Sequence, residues 1–320
     1  MASRLLSALK KSFACALLIA IALVIYFLFP GQLPLAARMA IMAIFVMSLD
    51  LVVGYGGLAT LGHSALYGVG AYAAGIVATR LTGDPLIGLL SGALMGAATA
   101  ALSGLFLLRY QGLTFLMLSI AVSQILQNLA SKLRGWTGGD DGLSGYSIKP
   151  LLGMASFDMY GKVAFIYCVV MLLVCLFVMR RLMASPFGLT CMGIHQNRLR
   201  MSAMGNDLNA TLLKLYTLSG LFAGIAGALS AQTSQIVGLD SLGFELSAEA
   251  LVMLVLGGAG SLYGAMAGAA VFMGIHHLAS SVNPYHWLFI IGGMLVFVVL
   301  VPRERWLAFV RKPKGAASHA

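Results

Sequence analysis

The sequence predicts an all-α polytopic membrane protein with about ten transmembrane helices, one of them short or broken, and both termini in the cytoplasm. Three observations predict it. Of the 320 residues, 60% are hydrophobic and only 9% are charged, too few charges to cover a water-facing surface. The apolar residues gather into runs long enough to cross roughly 30 Å of hydrocarbon. Glycine is abundant, at 38 residues, and small residues let helices pack closely where lipid supplies no hydrophobic drive between them. The net charge of +10 does not point to nucleic acid, because the cations sit at run ends and in short loops and form no single stripe.

The runs cover residues 12–29, 35–53, 61–79, 85–108, 113–130, 163–179, 212–231, 262–279 and 285–301, with a shorter one at 246–256. The first follows Lys10 and Lys11 like a signal peptide. It is longer than a usual apolar signal region and lacks a clear small-x-small site, so it is expected to be a retained span. The run at 246–256 lies between Gly243 and Gly257-Gly258 and is too short for an upright crossing, which predicts a tilted or broken helix. Counting it returns the basic C-terminus to the cytoplasm, in agreement with the cation bias at Arg109, Arg180, Arg181, Arg198 and Arg200. The expected organisation is a cytoplasmic N-terminus at 1–11, one transmembrane domain at 12–301 and a basic cytoplasmic tail at 302–320. Two connections are long: 131–161 outside, with Trp136, Asp140 and Asp141, and the basic 180–211 inside. Cys15, Cys168 and Cys175 lie in apolar runs and Cys191 in the inner connection, with no metal or redox spacing, so reduced structural thiols are expected.

Two glycine-rich breaks interrupt the apolar pattern. The first contains Asp50, Gly54, Gly56, Gly57, Gly62, His63 and Ser64; the second contains Gly257, Gly258, Gly260 and Ser261. Irregular backbone cannot face lipid, since each unpaired amide costs several kcal/mol there. Such breaks therefore face protein or a wet passage, and paired breaks point to a solute path. Tight helix crossing accounts for any single glycine equally well. Asp50 is either a pathway group or a headgroup-level residue that caps its own break. Gly62-His63-Ser64 also resembles a serine hydrolase motif, with His276 or His277 as base, although the match is very short.

In the inner connection Ser185 is placed to cap a helix that Pro186 begins, with Phe187 and Gly188 following. One polar helix is expected to run through Gly193, His195, Gln196, Asn197 and Arg198 to about Ala203, ended by Gly205. Its mixed apolar and basic character suits either a partner-docking helix or a linker lying on anionic lipid. The chain holds no Gly-x-x-x-x-Gly-Lys followed by Ser or Thr, so no phosphate-binding loop is present.

From Leu49 to Val301 the order of these motifs resembles the permease subunits of branched-chain amino acid ABC importers. The resemblance rests on Gly54-Tyr55-Gly56-Gly57 with Leu61-Gly62-His63, on Thr137-Gly138-Gly139-Asp140-Asp141-Gly142-Leu143, on Ser185 through Gly205, and on Val255 through Ser261. The second of these is similar to the longer of the two homologous permeases that pair in such importers. The resemblance implies a transport subunit that is not an enzyme, in a bacterial inner membrane. It implies a homologous permease partner, two cytoplasmic ATPases that use ATP and Mg, and an extracytoplasmic solute-binding protein. No cofactor is expected on this chain. The inner helix would engage the ATPase, and Trp136, Asp140 and Asp141 would meet the binding protein. Where relatives read Ile-Arg-Glu-Asn, this chain has Ile194-His195-Gln196-Asn197, and Asp50 stands where Asn is common. Urea or short amides are the alternative cargo. An ion-coupled secondary transporter would need a relay of intramembrane acids, and Asp50 is nearly alone.

Overall fold

The computed structural model describes residues 20, 22–28, 30–150, 161–282 and 292–293. The expected tails, and most of the expected runs at 12–29 and 285–301, lie outside the described residues. Contacts divide the chain into two units, Met1–Ala270 and Val271–Ala320. The described part of the second is the far portion of one helix, to Val282, with Gly292 and Gly293.

The described chain is mostly helical. Helix α1 spans Leu33–Asp50 and carries Pro34 in its first turn, where no intrahelical amide bond is lost. It continues through a wider π-helical turn, Leu51–Tyr55. Then come α2 (His63–Arg80), α3 (Pro85–Leu107), α4 (Leu113–Lys132), the single turn α5 (Arg134–Thr137) and strand β1 (Leu143–Ser144). Beyond residue 160 follow α6 (Lys162–Met183), α7 (Pro186–Gln196), α8 (Arg198–Ala203), α9 (Leu208–Ser234), β2 (Ile236–Val237), α10 (Phe244–Gly257) and α11 (Leu262–Val282).

Among the described residues six helices are long and apolar enough to cross a membrane: α1 with its π turn, α3, α4, α6, α9 and α11. Helix α2 is less apolar because it faces protein. Its His63, Ser64, Tyr67 and Tyr72 are all buried, and a helix enclosed by others can carry polar groups that a lipid-facing one cannot. Helix α9 packs against α1, α2 and α3. The three-helix seam of α2, α3 and α9 is lined by Gly70, Gly92, Gly96, Gly220 and Gly224; a Cβ on Gly96 would fall 2.9 Å from the Gly224 Cα. Backbones this close gain dispersion contact that larger side chains would prevent.

The short run forms a helix too short for an upright crossing. Helix α10 has 14 residues, a length of about 21 Å at 1.5 Å per residue, against roughly 30 Å of hydrocarbon. The segment before it folds inward, and the Leu242 carbonyl accepts hydrogen bonds from the hydroxyls of Ser123 at 2.7 Å and Ser64 at 3.4 Å. The turn at Leu242 that precedes α10 is thus anchored in the bundle.

The connection at 131–150 is tied to the end of α9. Strand β1 pairs antiparallel with β2, Leu143 opposite Val237, and the Tyr146 hydroxyl donates to the Ala231 carbonyl at 2.7 Å.

The inner connection differs from the single helix expected to Ala203. It forms two helices, α7 and α8, because Asn197 is extended (φ −157°, ψ 101°) and its side chain accepts from the Arg200 amide at 2.9 Å. Asn197 thereby caps a new helix and cannot continue the old one. Pro186 does begin α7, but the Ser185 hydroxyl donates to the Leu182 carbonyl at 2.6 Å and makes no cap. Gly205 follows at φ +82°, a left-handed conformation that glycine adopts without strain.

Candidate functional site

The two glycine breaks meet. Through the π turn the Gly56 amide donates to Leu51 at 3.1 Å and the Leu58 amide to Val52 at 3.0 Å, five and six residues back instead of four, so the helix widens and stops. Gly57 then turns with φ +68°. The amide of Gly260 donates to Asp50 Oδ1 at 2.6 Å, and a Cβ on Gly54 would collide with both Asp50 Oδ1 and the Gly260 nitrogen. Asp50 therefore makes no cap for its own break. It is fully buried, it caps the other break, and its Oδ2 has no hydrogen-bond partner. On the far side of this junction Gly257 lies against the Gly264 backbone, and the Ser261 hydroxyl accepts from the Gly264 amide at 3.2 Å.

The inner connection reaches the same junction. His195, near the end of α7, is exposed, and its Nδ1 lies 2.9 Å from the Gly54 carbonyl oxygen. A carbonyl only accepts, so Nδ1 carries the hydrogen. The ring also covers Gly57, where a Cβ would lie 3.0 Å from His195 Cδ2. A chain of close contacts thus runs from α7 through His195 to Gly54, Asp50 and Gly260.

His63 and Ser64 sit deeper, in separate polar clusters. His63 Nε2 is 2.9 Å from Ser48 Oγ and 3.4 Å from Ser219 Oγ. The Ser48 hydroxyl donates to the Phe45 carbonyl at 2.7 Å, which leaves its oxygen to accept from the ring. Ser64 faces Ser247, whose hydroxyl accepts from the Ser64 amide at 2.7 Å and donates to Ser64 Oγ at 2.8 Å. Ser123 completes that cluster at 3.4 Å. The partners of Ser64 in these bonds are hydroxyls and a backbone carbonyl, and none is an imidazole. Gly62 is pressed against the Ser119 carbonyl of α4.

These partner hydroxyls were missed by sequence reasoning, which looked at breaks and not at the spans. Ser119 and Ser123, four apart on α4, were a legible signal, since that spacing places two hydroxyls on one helix face.

The remaining residues singled out lie in two places. On the inner connection Gln196 and Ala203 are exposed and Phe187 and Arg198 half-buried, whereas Gly188 is buried against the Met183 backbone. Gly193 packs on Met201, with a Cβ falling 2.8 Å from its sulfur. Cys191 is buried, and burial pushes its thiol up to about 11. Helix α8 buries none of its residues, and Leu199 is 85% exposed. On the connection at 131–150, Trp136 lies under the Arg80 guanidinium, 4.0 Å from the ring centre. Asp140 is held by the Ser131 hydroxyl and by Arg134 at 3.5 Å; Asp141 is exposed and has no such partner.

A family profile described as branched-chain amino acid transport system / permease component matches residues 33–299. The high-affinity branched-chain amino acid transport system permease protein LivM of Salmonella typhimurium is 29% identical, covering 91% of this chain and 73% of that protein. The LivM protein of Escherichia coli is 28% identical over the same shares. The galactose/methyl galactoside import permease protein MglC of Salmonella typhimurium is 31% identical over 36% of each chain. No solved structure matches.

Proposed function

The chain belongs to the branched-chain amino acid transport permease family, and from that premise we propose how its inner connection drives it. It is a permease subunit of an ABC importer for branched-chain amino acids, and a multi-pass membrane protein. Its partners in this reading are a homologous permease, two cytoplasmic ATPases and an extracytoplasmic binding protein. The family-based placement is the bacterial inner membrane, with both termini inside and about ten crossings.

The observation that carries the mechanism is the contact between His195 and Gly54. Exposed α7 and α8, with Leu199 and Arg200 outward, form the surface on which an ATPase docks. Closure of the ATPases on ATP displaces this surface. His195 passes the displacement to the Gly54 carbonyl, and Asp50 passes it to Gly260, so both breaks move together as one gate. Nothing covalent happens on this chain: ATP turnover biases a two-state element, and the solute crosses by alternating access. Three features support a gate at this junction: its backbone is irregular, it is held by few bonds, and one carboxylate oxygen is unpaired. Trp136 and Asp141, at the opposite ends of the spans, face the binding protein.

The test is reconstitution with the partner subunits in proteoliposomes. Uptake of leucine, isoleucine or valine that requires both ATP and loaded binding protein is expected. Uptake driven by an ion gradient without ATP would overturn the reading, and ATP-driven uptake confined to urea or short amides would replace the cargo.

A further inference from the structure

A cavity of about 710 Å³ lies among the first turns of α1, the start of α6 and the end of α9. Its lining includes Arg38, Ser230, Gln232, Thr233 and Gln235. Arg38 stands five residues into an apolar spanning helix, where a charge is costly unless it serves a partner or a wet space. Among the described residues the ion pair present is Arg134 with Asp140, and no acidic side chain lines the cavity. Among the described residues the guanidinium therefore has no acidic partner. Gln232 is a second polar group awaiting a partner: its Nε2 donates to the Pro85 carbonyl at 2.7 Å, while its buried Oε1 accepts nothing.

We propose that this cavity is a solute site in which Arg38 holds the carboxylate and Gln232 Oε1 accepts from the ammonium of a zwitterionic amino acid. The proposal rests on the amino acid importer reading and adds residues that the glycine breaks do not include. Its position fits: β2, whose Ile236 lines the cavity, pairs with β1 of the connection that carries Trp136 and Asp141. A solute released at that face meets this cavity before it meets the junction at Gly54. The pairing is chemically specific. A guanidinium fork matches a carboxylate, and among the described residues no acid lines the cavity to occupy it.

The experiment uses the whole importer in proteoliposomes. Arg38→Cys should react with a membrane-impermeant sulfonate thiol reagent from the binding-protein side, and leucine-loaded binding protein should slow that reaction. Arg38→Gln should lower leucine uptake about tenfold, the factor carried by one charge-assisted hydrogen bond, while stimulation of the ATPases by loaded binding protein persists. Arg38→Lys, which keeps the charge but not the fork, should retain more uptake than Arg38→Gln and less than the parent. Absence of labelling would put Arg38 against lipid and overturn the site. Labelling that leucine does not slow would also overturn it, leaving a lipid phosphate as the anion held. Wild-type uptake by Arg38→Gln would do the same. A wild-type assembly that hydrolyses ATP but moves no amino acid would instead overturn the importer reading beneath it, whatever the labelling result.

Discussion

The imidazole of His195 donates across 2.9 Å to the carbonyl of Gly54, joining a helix outside the spans to the point where α1 loses its regular form. Gly54 in turn sits against Gly260, whose amide is held by Asp50. Four residues from three separate stretches of sequence thus share one junction, and each can be disturbed alone.

Gly54→Ala places a methyl where Asp50 Oδ1 and the Gly260 nitrogen already stand. Overpacking of this kind costs about 1–3 kcal/mol, and here it falls where the two glycine breaks meet. Membrane insertion should be normal and ATP-driven uptake should fall by about tenfold or more. A transport assay beside quantified membrane protein checks it.

Asp50→Asn keeps a side-chain oxygen for the Gly260 amide and should hold uptake within about twofold of the parent, the effect of exchanging one hydrogen-bonded acceptor for another. Asp50→Leu leaves that amide buried and unpaired, at a cost of about 1–3 kcal/mol, and uptake should collapse. If the carboxylate were a proton or cation carrier, the two variants would behave alike.

Gly193→Pro breaks α7 two residues before His195. A proline inside a helix costs about 3 kcal/mol, and Gly193 is also pressed against Met201. Uptake should be lost while the protein still inserts; normal uptake would remove α7 from the coupling path.

Asp141→Lys should weaken the stimulation of ATPase activity by loaded binding protein without unfolding its loop, because Asp141 is exposed and unpaired. Asp140→Lys should also loosen the loop, since Asp140 is bonded to Ser131 and Arg134. Limited proteolysis together with ATPase assays separates the two.

Six spans among the described residues were legible because apolar runs long enough for a bilayer have few other uses, and α7 because Pro186 marks its start. The break at Asn197 was not, since an asparagine in mid-pattern declares itself a cap only when its side chain finds the Arg200 amide. The glycine breaks were visible one by one. Their meeting was not, because a contact between residues 210 apart in sequence, Asp50 and Gly260, depends on how whole helices pack. Asp50 shows the same limit. Its carboxylate reads as a local cap until the fold brings a distant amide to it. Arg38 has no local motif around it, and only the neighbouring ends of α6 and α9 turn it into the wall of a cavity.

The central claim is that force enters the membrane through His195. The measurement that tests it most directly is the number of amino acids taken up per ATP hydrolysed, in the parent importer and in His195→Ala. Loss of this one hydrogen bond predicts a ratio lowered by up to about tenfold with ATP hydrolysis still stimulated by loaded binding protein. An unchanged ratio would show that the ATPases drive the gate by another route and would contradict the account.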